Sequence, residues 1–388
     1  MTHRDLRTRL AISGAAYTKF GDHCTRTFED LAHEAASAAC RNAGIELDEI
    51  DAAWLGTYSP YGGSGKASVS LADALRIYGK PITRVENYCA TGTDAFRNAM
   101  FAVMAGMCRT ALVLGVEKLR DRPGRGLAWE GEHPYHLSGL SAPGCFALAA
   151  NHYLRRYGLG REPLAQVAVK NHRNGVVNPK AHLRRPVSME QVLNAPMVAS
   201  PFGLYDCCPT TDGAAALILT TPDVARRSPH PPVFVLGAGS AVFTGRPWFD
   251  PSFDYLGFPA TQEAARQAYR MAGIADPVGE IDFAEVHDCF TWTELTNYED
   301  LGFCAKGEGA AFIADGRSGP AGDLPVNTSG GLKSFGHPIG ATGIRMLCEL
   351  VEQLRHQAGD RQIARAEKGL AHNLGGPGSV ATVTILGN

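Results

Sequence analysis

Cys89 stands in the run Asn87-Tyr88-Cys89-Ala90-Thr91-Gly92-Thr93, where strand character gives way to a helix. A thiol at a helix N-terminus feels the positive end of the dipole and nearby backbone N–H groups, which lower its pKa and favour the thiolate. A thiolate so placed can attack a thioester. Taken alone, the stretch fits a buried structural cysteine equally well. His337 lies in Ser334-Phe335-Gly336-His337-Pro338-Ile339-Gly340-Ala341-Thr342-Gly343, with glycines on both sides and a proline fixing the turn. An imidazole beside a thiol can take its proton, the pairing used by Cys–His nucleophiles; in isolation the run reads more simply as a turn with a satisfied histidine. His287-Asp288-Cys289-Phe290 closes the strand-like run 281–286, and ligand sites commonly lie at the carboxyl ends of strands in α/β sheets. There His287 could hold a water or polarise a carbonyl, and Cys289 could give or take a proton; a plain buried strand end fits as well. Asn373-Leu374-Gly375-Gly376-Pro377-Gly378 reads as a glycine-rich turn between strand-like 368–371 and 380–385. Such turns expose N–H groups able to stabilise an oxyanion, and they are also ordinary tight turns.

These residues need elements to hold them. Residues 9–16 read as a strand and 28–43 as a helix with Thr27 a fitting N-cap. Residues 52–56 form a short apolar strand, 85–89 a strand leading into the helical run 94–106, and 111–116 a buried strand. Alternation of this kind argues for an α/β protein with a sheet covered on both faces. The pattern then recurs. RNAGIELDEIDAAWLG (41–56) resembles RMAGIADPVGEIDFAEVHD (270–288), and each is followed by a glycine-containing turn opening a helix, at 89–106 and at 340–354. The same order of elements about 230 residues apart points to a duplicated α/β unit rather than a solenoid. If the copies pair about a pseudo-twofold axis, the helices behind Cys89 and His337 both aim at the centre.

Between the copies runs a segment rich in Gly, Pro and His, then a helical stretch to Tyr157, then the loop NPKAHLRRP at 178–186. Long irregular segments in compact enzymes are usually lids or binding loops, and this one reads as an insertion over the active site. Trp129, Tyr135, His136, Phe202 and Trp248 fit pocket lining and core equally. The chain divides into a first half at 1–119, a loop domain at 120–207, a return strand at 208–230 and a second half at 231–388.

Thirty-seven Lys+Arg against 39 Asp+Glu leave a formal net charge of −2. No basic excess is available to neutralise nucleic-acid phosphates. The apolar content excludes disorder as the main state. No apolar run approaches the ~20 residues needed to cross a bilayer. MTHRDLRTRL lacks the apolar core of a signal peptide, and TVTILGN is not a Ser-Lys-Leu address, so a cytoplasmic location is expected. Ten dispersed cysteines without a C-x-x-C pair are not a disulfide scaffold. Gly237-Ala-Gly239 starts like a dinucleotide fingerprint, but Val242 stands where the third glycine belongs. Gly65-Lys66 lacks the hydroxyl residue a P-loop requires next. His133 and His136 have no partners completing a zinc pattern, so no metal is expected.

Together the motifs resemble the thiolase superfamily, and within it the sterol-carrier-protein-2-type thiolases, a group that includes acetyl-CoA acetyltransferases and 3-ketoacyl-CoA thiolases. The resemblance rests on CATG around Cys89, CCPTTDGAAA at Cys207–Ala216, HDCF at His287–Phe290, GHPIGATG at Gly336–Gly343 and HNLGG at His372–Gly376. They occur in the family's order and spacing over essentially the whole chain. The resemblance implies two βαβαβαββ halves in five layers (α-β-α-β-α) with an inserted loop domain. It implies that Cys89 is acylated and that His337 activates it and helps form a first oxyanion hole. The N–H groups of Cys89 and Gly375 would form a second hole. Most thiolases carry Asn-Glu-Ala-Phe where this chain has His287-Asp288-Cys289-Phe290. Most also carry a second catalytic cysteine where Asn373 stands, and in the sterol-carrier type the cysteine matching Cys289 supplies that acid/base.

The implied reaction is ping-pong cleavage of a 3-ketoacyl-CoA by coenzyme A, or the reverse condensation, as in β-oxidation and lipid metabolism. Coenzyme A and acyl-CoA are implied as substrates, with no covalently bound cofactor. Lys170, Arg173, Lys180, Arg184 and Arg185 are candidates for CoA phosphates, none assigned singly. A homodimer or tetramer is implied. So is a rival: some relatives work with a DUF35-type OB-fold partner as retro-aldolases or acyltransferases. Cys89, His337 and Cys289 together favour acyl transfer over aldol cleavage, and also over a non-catalytic thiolase-fold subunit. The chain stops at Asn388, so a fused lipid-transfer domain is not expected.

Overall fold

The computed structural model describes residues 6–58, 66, 68–121, 139–244 and 252–388. Gly65, Trp129, His133, Tyr135, His136 and Trp248 lie outside the described residues. The first half opens with β1 (Ala11–Tyr17) and α1 (Phe28–Ala43). The Thr27 hydroxyl accepts the Asp30 N–H at 3.0 Å, and the Asp30 carboxylate accepts the Thr27 N–H at 2.9 Å, a reciprocal cap. Gly44, at φ 74°, ends the helix in the left-handed region that glycine enters freely. Then follow β2 (Ala52–Gly56), α2 (Ser68–Leu75), β3 (Ile82–Val85), α3 (Thr91–Met104) and β4 (Thr110–Lys118). The strand expected at 85–89 therefore ends at Val85, and a turn presents Cys89.

The insertion contributes α4 (Ala142–Arg156), α5 (Glu162–Val176) and a small hairpin of β5 (Met197–Ala199) and β6 (Phe202–Gly203), and the chain returns through β7 (Asp212–Thr220). The second half holds β8 (Val233–Val242), α6 (Pro259–Ala272), β9 (Phe283–Val286), α7 (Thr291–Asp300), α8 (Gly331–Phe335), α9 (Ile339–Leu354), β10 (Lys368–Gly375) and β11 (Val380–Gly387). β10 runs on through Gly375, so Asn373 and Gly375 are strand residues, and the glycine-rich turn is confined to 376–379. Continued pairing with β11 overrides the turn signal.

The strand order is β3-β2-β4-β7-β1-β8-β11-β10-β9. It reads the same outward from the middle. β1 and β8 meet through two residue pairs, Ala11↔Phe234 and Ile12↔Val233. On either side an antiparallel neighbour follows (β7, β11), then another antiparallel pairing (β4, β10), then a parallel strand (β2, β9). β3 extends the first half in parallel, and a parallel bridge at Ala284↔Val326 takes the same place in the second. The duplication legible at 41–56 and 270–288 is a duplication of the fold.

On β4 and β7 alternate residues serve opposite faces. Leu112, Leu114, Val116, Ala214, Ala216 and Ile218 pack toward α1. Ala111, Val113, Ala215, Leu217 and Leu219 join the central core. A strand buried on both faces reads as a continuous apolar run for this reason. α1 covers the outer face of the first half and α6 that of the second. α9 packs on α3, on β4, β7 and β1, and on β10 and β9, so it lies between the two halves. All its residues except Glu352 are buried, as befits a helix enclosed on every side. This is the five-layer α/β arrangement that the resemblance implies. Among the described residues no helix is long and apolar enough to cross a membrane.

Candidate active site

Cys89 sits at the tip of a turn just ahead of α3. The Asn87 carbonyl accepts the Ala90 N–H at 3.1 Å, and the Tyr88 carbonyl accepts the Thr91 N–H at 3.1 Å. The Thr91 hydroxyl accepts the Asn87 N–H at 2.8 Å and donates to the Tyr88 carbonyl at 2.5 Å. Tyr88 is held at φ 50°, a region non-glycine residues enter at a cost. Gly375 lies flat against this turn; a Cβ there would stand 3.0 Å from the Ala90 nitrogen and the Asn87 oxygen. The neighbouring Gly376 N–H reaches the Cys89 sulfur.

Cys89 is partly exposed as a residue, yet the packing around its sulfur and the Glu117 carboxylate push the thiol up to about 12. The Gly376 N–H opposes this, and Glu86 adds to it. The sequence expectation of a lowered thiol pKa is thereby corrected. A helix N-terminus and a pair of N–H groups do not outweigh lost solvent and a buried carboxylate.

His337 arrives from the second half on the loop between α8 and α9, its N–H bonded to the Pro209 carbonyl at 3.1 Å. Its Nδ1 lies 2.7 Å from the Thr342 hydroxyl, which gives its own hydrogen to the Pro338 carbonyl at 3.1 Å. Thr342 can therefore only accept, so Nδ1 carries the proton and Nε2 is a bare lone pair. Nε2 is buried and has no hydrogen-bond partner among the described residues. Burial, with Arg345 second, pushes the imidazole down to about 3.

His287 follows β9. The Asn373 amide donates to its Nδ1 at 3.1 Å, while the Asn373 oxygen accepts from the Thr93 hydroxyl at 3.1 Å. With the amide in this orientation, the His287 hydrogen lies on Nε2. Burial drives this imidazole well below its ordinary range too, with His337 and His372 adding to the effect. The two rings meet edge to face, with centroids 5.2 Å apart. The Cys89 sulfur and one ring nitrogen from each histidine lie within 4.8 Å of one another.

Cys289 is buried beside this cluster, its sulfur 4.0 Å from the Thr293 hydroxyl. Burial pushes its thiol well up, and Cys208 and Cys89 push it further. Sequence reasoning gave Cys208 no role, although it stands in the CCPTTDGAAA run. Its N–H donates to the Cys289 carbonyl at 2.9 Å, and Cys207 bridges Phe290, so Cys208 lies directly across from Cys289. Asp288 is turned to structural duty, accepting the Leu332 N–H at 2.7 Å and the Asn171 amide at 2.8 Å. Phe290 stacks on Phe202 at 5.1 Å, which makes Phe202 core beneath the site.

Two of the basic candidates for phosphate are withdrawn. The Lys170 ammonium is buried against Glu294 at 2.5 Å and the Val326 carbonyl at 2.7 Å. Lys180 bonds the Tyr17 carbonyl at 2.8 Å and lies over the Tyr17 ring. Arg173, Arg184 and Arg185 remain exposed.

The chain matches two family profiles, described as "Thiolase, N-terminal domain" over residues 10–223 and "Thiolase C-terminal domain-like" over residues 251–388. It is 40% identical over 381 residues to an acetyl-CoA acetyltransferase of Methanothermobacter thermautotrophicus, spanning 97% of this chain and 98% of that protein. It is 34% identical over 394 residues to sterol carrier protein 2 of Homo sapiens, spanning 96% of this chain and 71% of that protein. A solved structure described as an Ltp2-ChsH2(DUF35) aldolase superposes with a TM-score of 0.87 at 27% identity, with 99% of each chain covered. With two profiles spanning both copies of the α/β unit and a relative matched end to end, the chain belongs to the thiolase family.

Proposed function

We propose that this protein is a thiolase-type acyltransferase that cleaves 3-ketoacyl-CoA with coenzyme A, or condenses an acyl-CoA with acetyl-CoA, through an acyl group on Cys89. The observation that carries this reading is the meeting of the Cys89 sulfur with an imidazole, His337, whose Nε2 is free to take a proton. In the cleavage direction the Cys89 proton passes to His337 as sulfur bonds the keto carbon. The carbonyl electrons move to oxygen, toward the hydrogen on His287 Nε2 and the N–H groups near Gly375. The Cα–Cβ bond then breaks, and Cys289, held as a thiol by its burial, protonates the departing carbanion to give acetyl-CoA. The thiol of a second coenzyme A attacks the acyl-cysteine, and its proton restores the set. The 40% identical acetyl-CoA acetyltransferase supports acetyl as a transferred group.

The likeness to the Ltp2-ChsH2(DUF35) aldolase favours a second reading, carbon–carbon cleavage by a retro-aldol route together with a DUF35-type partner. Intact-protein mass after mixing with acetyl-CoA or acetoacetyl-CoA separates the two. One acetyl addition, absent in Cys89→Ala, is expected for acyl transfer. No addition, with aldehyde or ketone released from a hydroxyacyl-CoA once partner is supplied, would replace the first reading by the second. The protein is further proposed to act as a homodimer, since β3 is the last strand of the sheet on its side among the described residues. Light scattering giving only the 41.4 kDa chain would contradict that.

A further inference from the structure

Glu117 lies near the end of β4 and is 1% exposed. Its carboxylate accepts the Thr57 hydroxyl at 3.2 Å and the Tyr58 N–H at 2.9 Å, both just past β2. From the second half it accepts the Gly340 N–H at 2.9 Å. Gly340 belongs to the first turn of α9, three residues after His337, so the carboxylate spans the seam between the halves where the two candidate reactive turns meet. A negative group at a helix N-terminus is electrostatically favoured. The seam itself is backbone on backbone. A Cβ at Gly340 would stand 2.6 Å from the Gly56 oxygen, and one at Gly92 would stand 2.7 Å from the Gly340 oxygen. The charge of Glu117 also acts on Cys89, ranking next after burial among the influences that raise its thiol. The other ionisable groups facing that sulfur are Glu86 from its own turn, Cys208 and Cys289 from the opposite wall, and the neutral rings of His287 and His337.

We propose that Glu117 is a positioning residue for acyl transfer: its carboxylate clamps the first turn of α9 onto the end of β2 and so holds the His337 turn against the Cys89 turn. The same carboxylate favours the Cys89 thiol over the thiolate. This rests on the acyl-transfer reading above. In the attack the S–H bond breaks, its proton goes to His337 Nε2, a sulfur lone pair forms the S–C bond, and the carbonyl π electrons move to oxygen. A free thiolate is not built up beforehand, which protects the sulfur from stray electrophiles.

The test is the rate of Cys89 alkylation by iodoacetamide against pH, read by peptide mass, in the wild-type protein and in Glu117→Gln and Glu117→Asp. Glutamine keeps the shape; its oxygen can take both N–H groups and its amide can face Thr57. The wild-type midpoint is expected above the ordinary thiol value of about 8.5. Glu117→Gln should lower it by about one unit, the usual scale of a neighbouring charge. Glu117→Asp keeps the charge but withdraws it from Gly340, so the midpoint should stay high while acylation of Cys89 slows on the order of tenfold or more. A wild-type midpoint at or below about 8.5 would overturn the proposal without any variant. So would equal midpoints for the wild type and Glu117→Gln. Absence of any acyl adduct on the wild type sinks the acyl-transfer reading instead, and the alkylation midpoints still decide what Glu117 does to Cys89.

Discussion

At Cys89 and His337 burial moves two pKa values in opposite directions, the thiol up to about 12 and the imidazole down to about 3. Both groups are then uncharged at neutral pH, and in the proposed reaction the pair transfers a proton only when a new S–C bond offsets the cost. A sign follows for the pH profile. In the proposed attack His337 must be unprotonated, and its depressed pKa keeps it so well below the ordinary imidazole range. Single-turnover acylation by acetyl-CoA should therefore show no acid limb near pH 6.5, and a fall of activity centred there would contradict the assignment. Asn373 fixes which His287 nitrogen bears hydrogen. Asn373→Ala should lower the acylation rate on the order of 10²-fold, the scale for an oxyanion donor lost, with the thermal transition retained. A loss matched by unfolding would show Asn373 to be structural only. Cys89, His337, His287 and Cys289 were all readable from the motifs that surround them. Glu117 was not, because its partners lie far off in sequence, and Thr342 and Cys208 were visible only as parts of runs.

At the scale of elements, α1 is a local object, and its cap at Thr27 and Asp30 and its glycine stop at Gly44 are legible in a few adjacent residues. α9 is the opposite. Its N-terminus is buried in the other half of the molecule, and what lets it approach is the absence of side chains at Gly56, Gly92 and Gly340. Gly92→Ala places a methyl 2.7 Å from the Gly340 oxygen. The shift this forces should cost about 1–3 kcal/mol and slow acylation through a displaced His337, read by denaturant unfolding and by intact mass on the same sample. Unchanged stability would mean the seam is looser than the contact distances imply. The end of β10 gives the same lesson. Asn373-Leu374-Gly375 has the composition of a turn, yet pairing with β11 extends the strand through it and so delivers Asn373 to His287.

At the scale of the whole molecule, the central helix α9 is held by more than apolar packing. Arg345, inside α9, reaches Glu285 on β9 and the Ser329 hydroxyl, each at 2.7 Å, and all three are buried. Arg345→Met would leave the Glu285 carboxylate enclosed without its cation. A loss of about 3–5 kcal/mol is expected, measured by urea unfolding, and Glu285→Gln in the same chain should restore part of it. A near-neutral single variant would show that water reaches the pair. The insertion divides similarly. Its Arg173, Arg184 and Arg185 are exposed, whereas Lys170 is a buried structural cation paired with Glu294.

The α/β class, the duplicated unit and the candidate reactive residues are legible in the sequence alone, because hydrophobic periodicity and short glycine-bounded motifs are local and the repeat writes them twice. The protonation states, the partners of His287 and His337, the central place of α9 and the carboxylate at the seam are properties of the tertiary structure. They depend on burial and, for α9 and the seam, on contacts between segments more than a hundred residues apart, such as Glu117 with Gly340 and Thr93 with Asn373, and desolvation and charge act through space rather than along the chain.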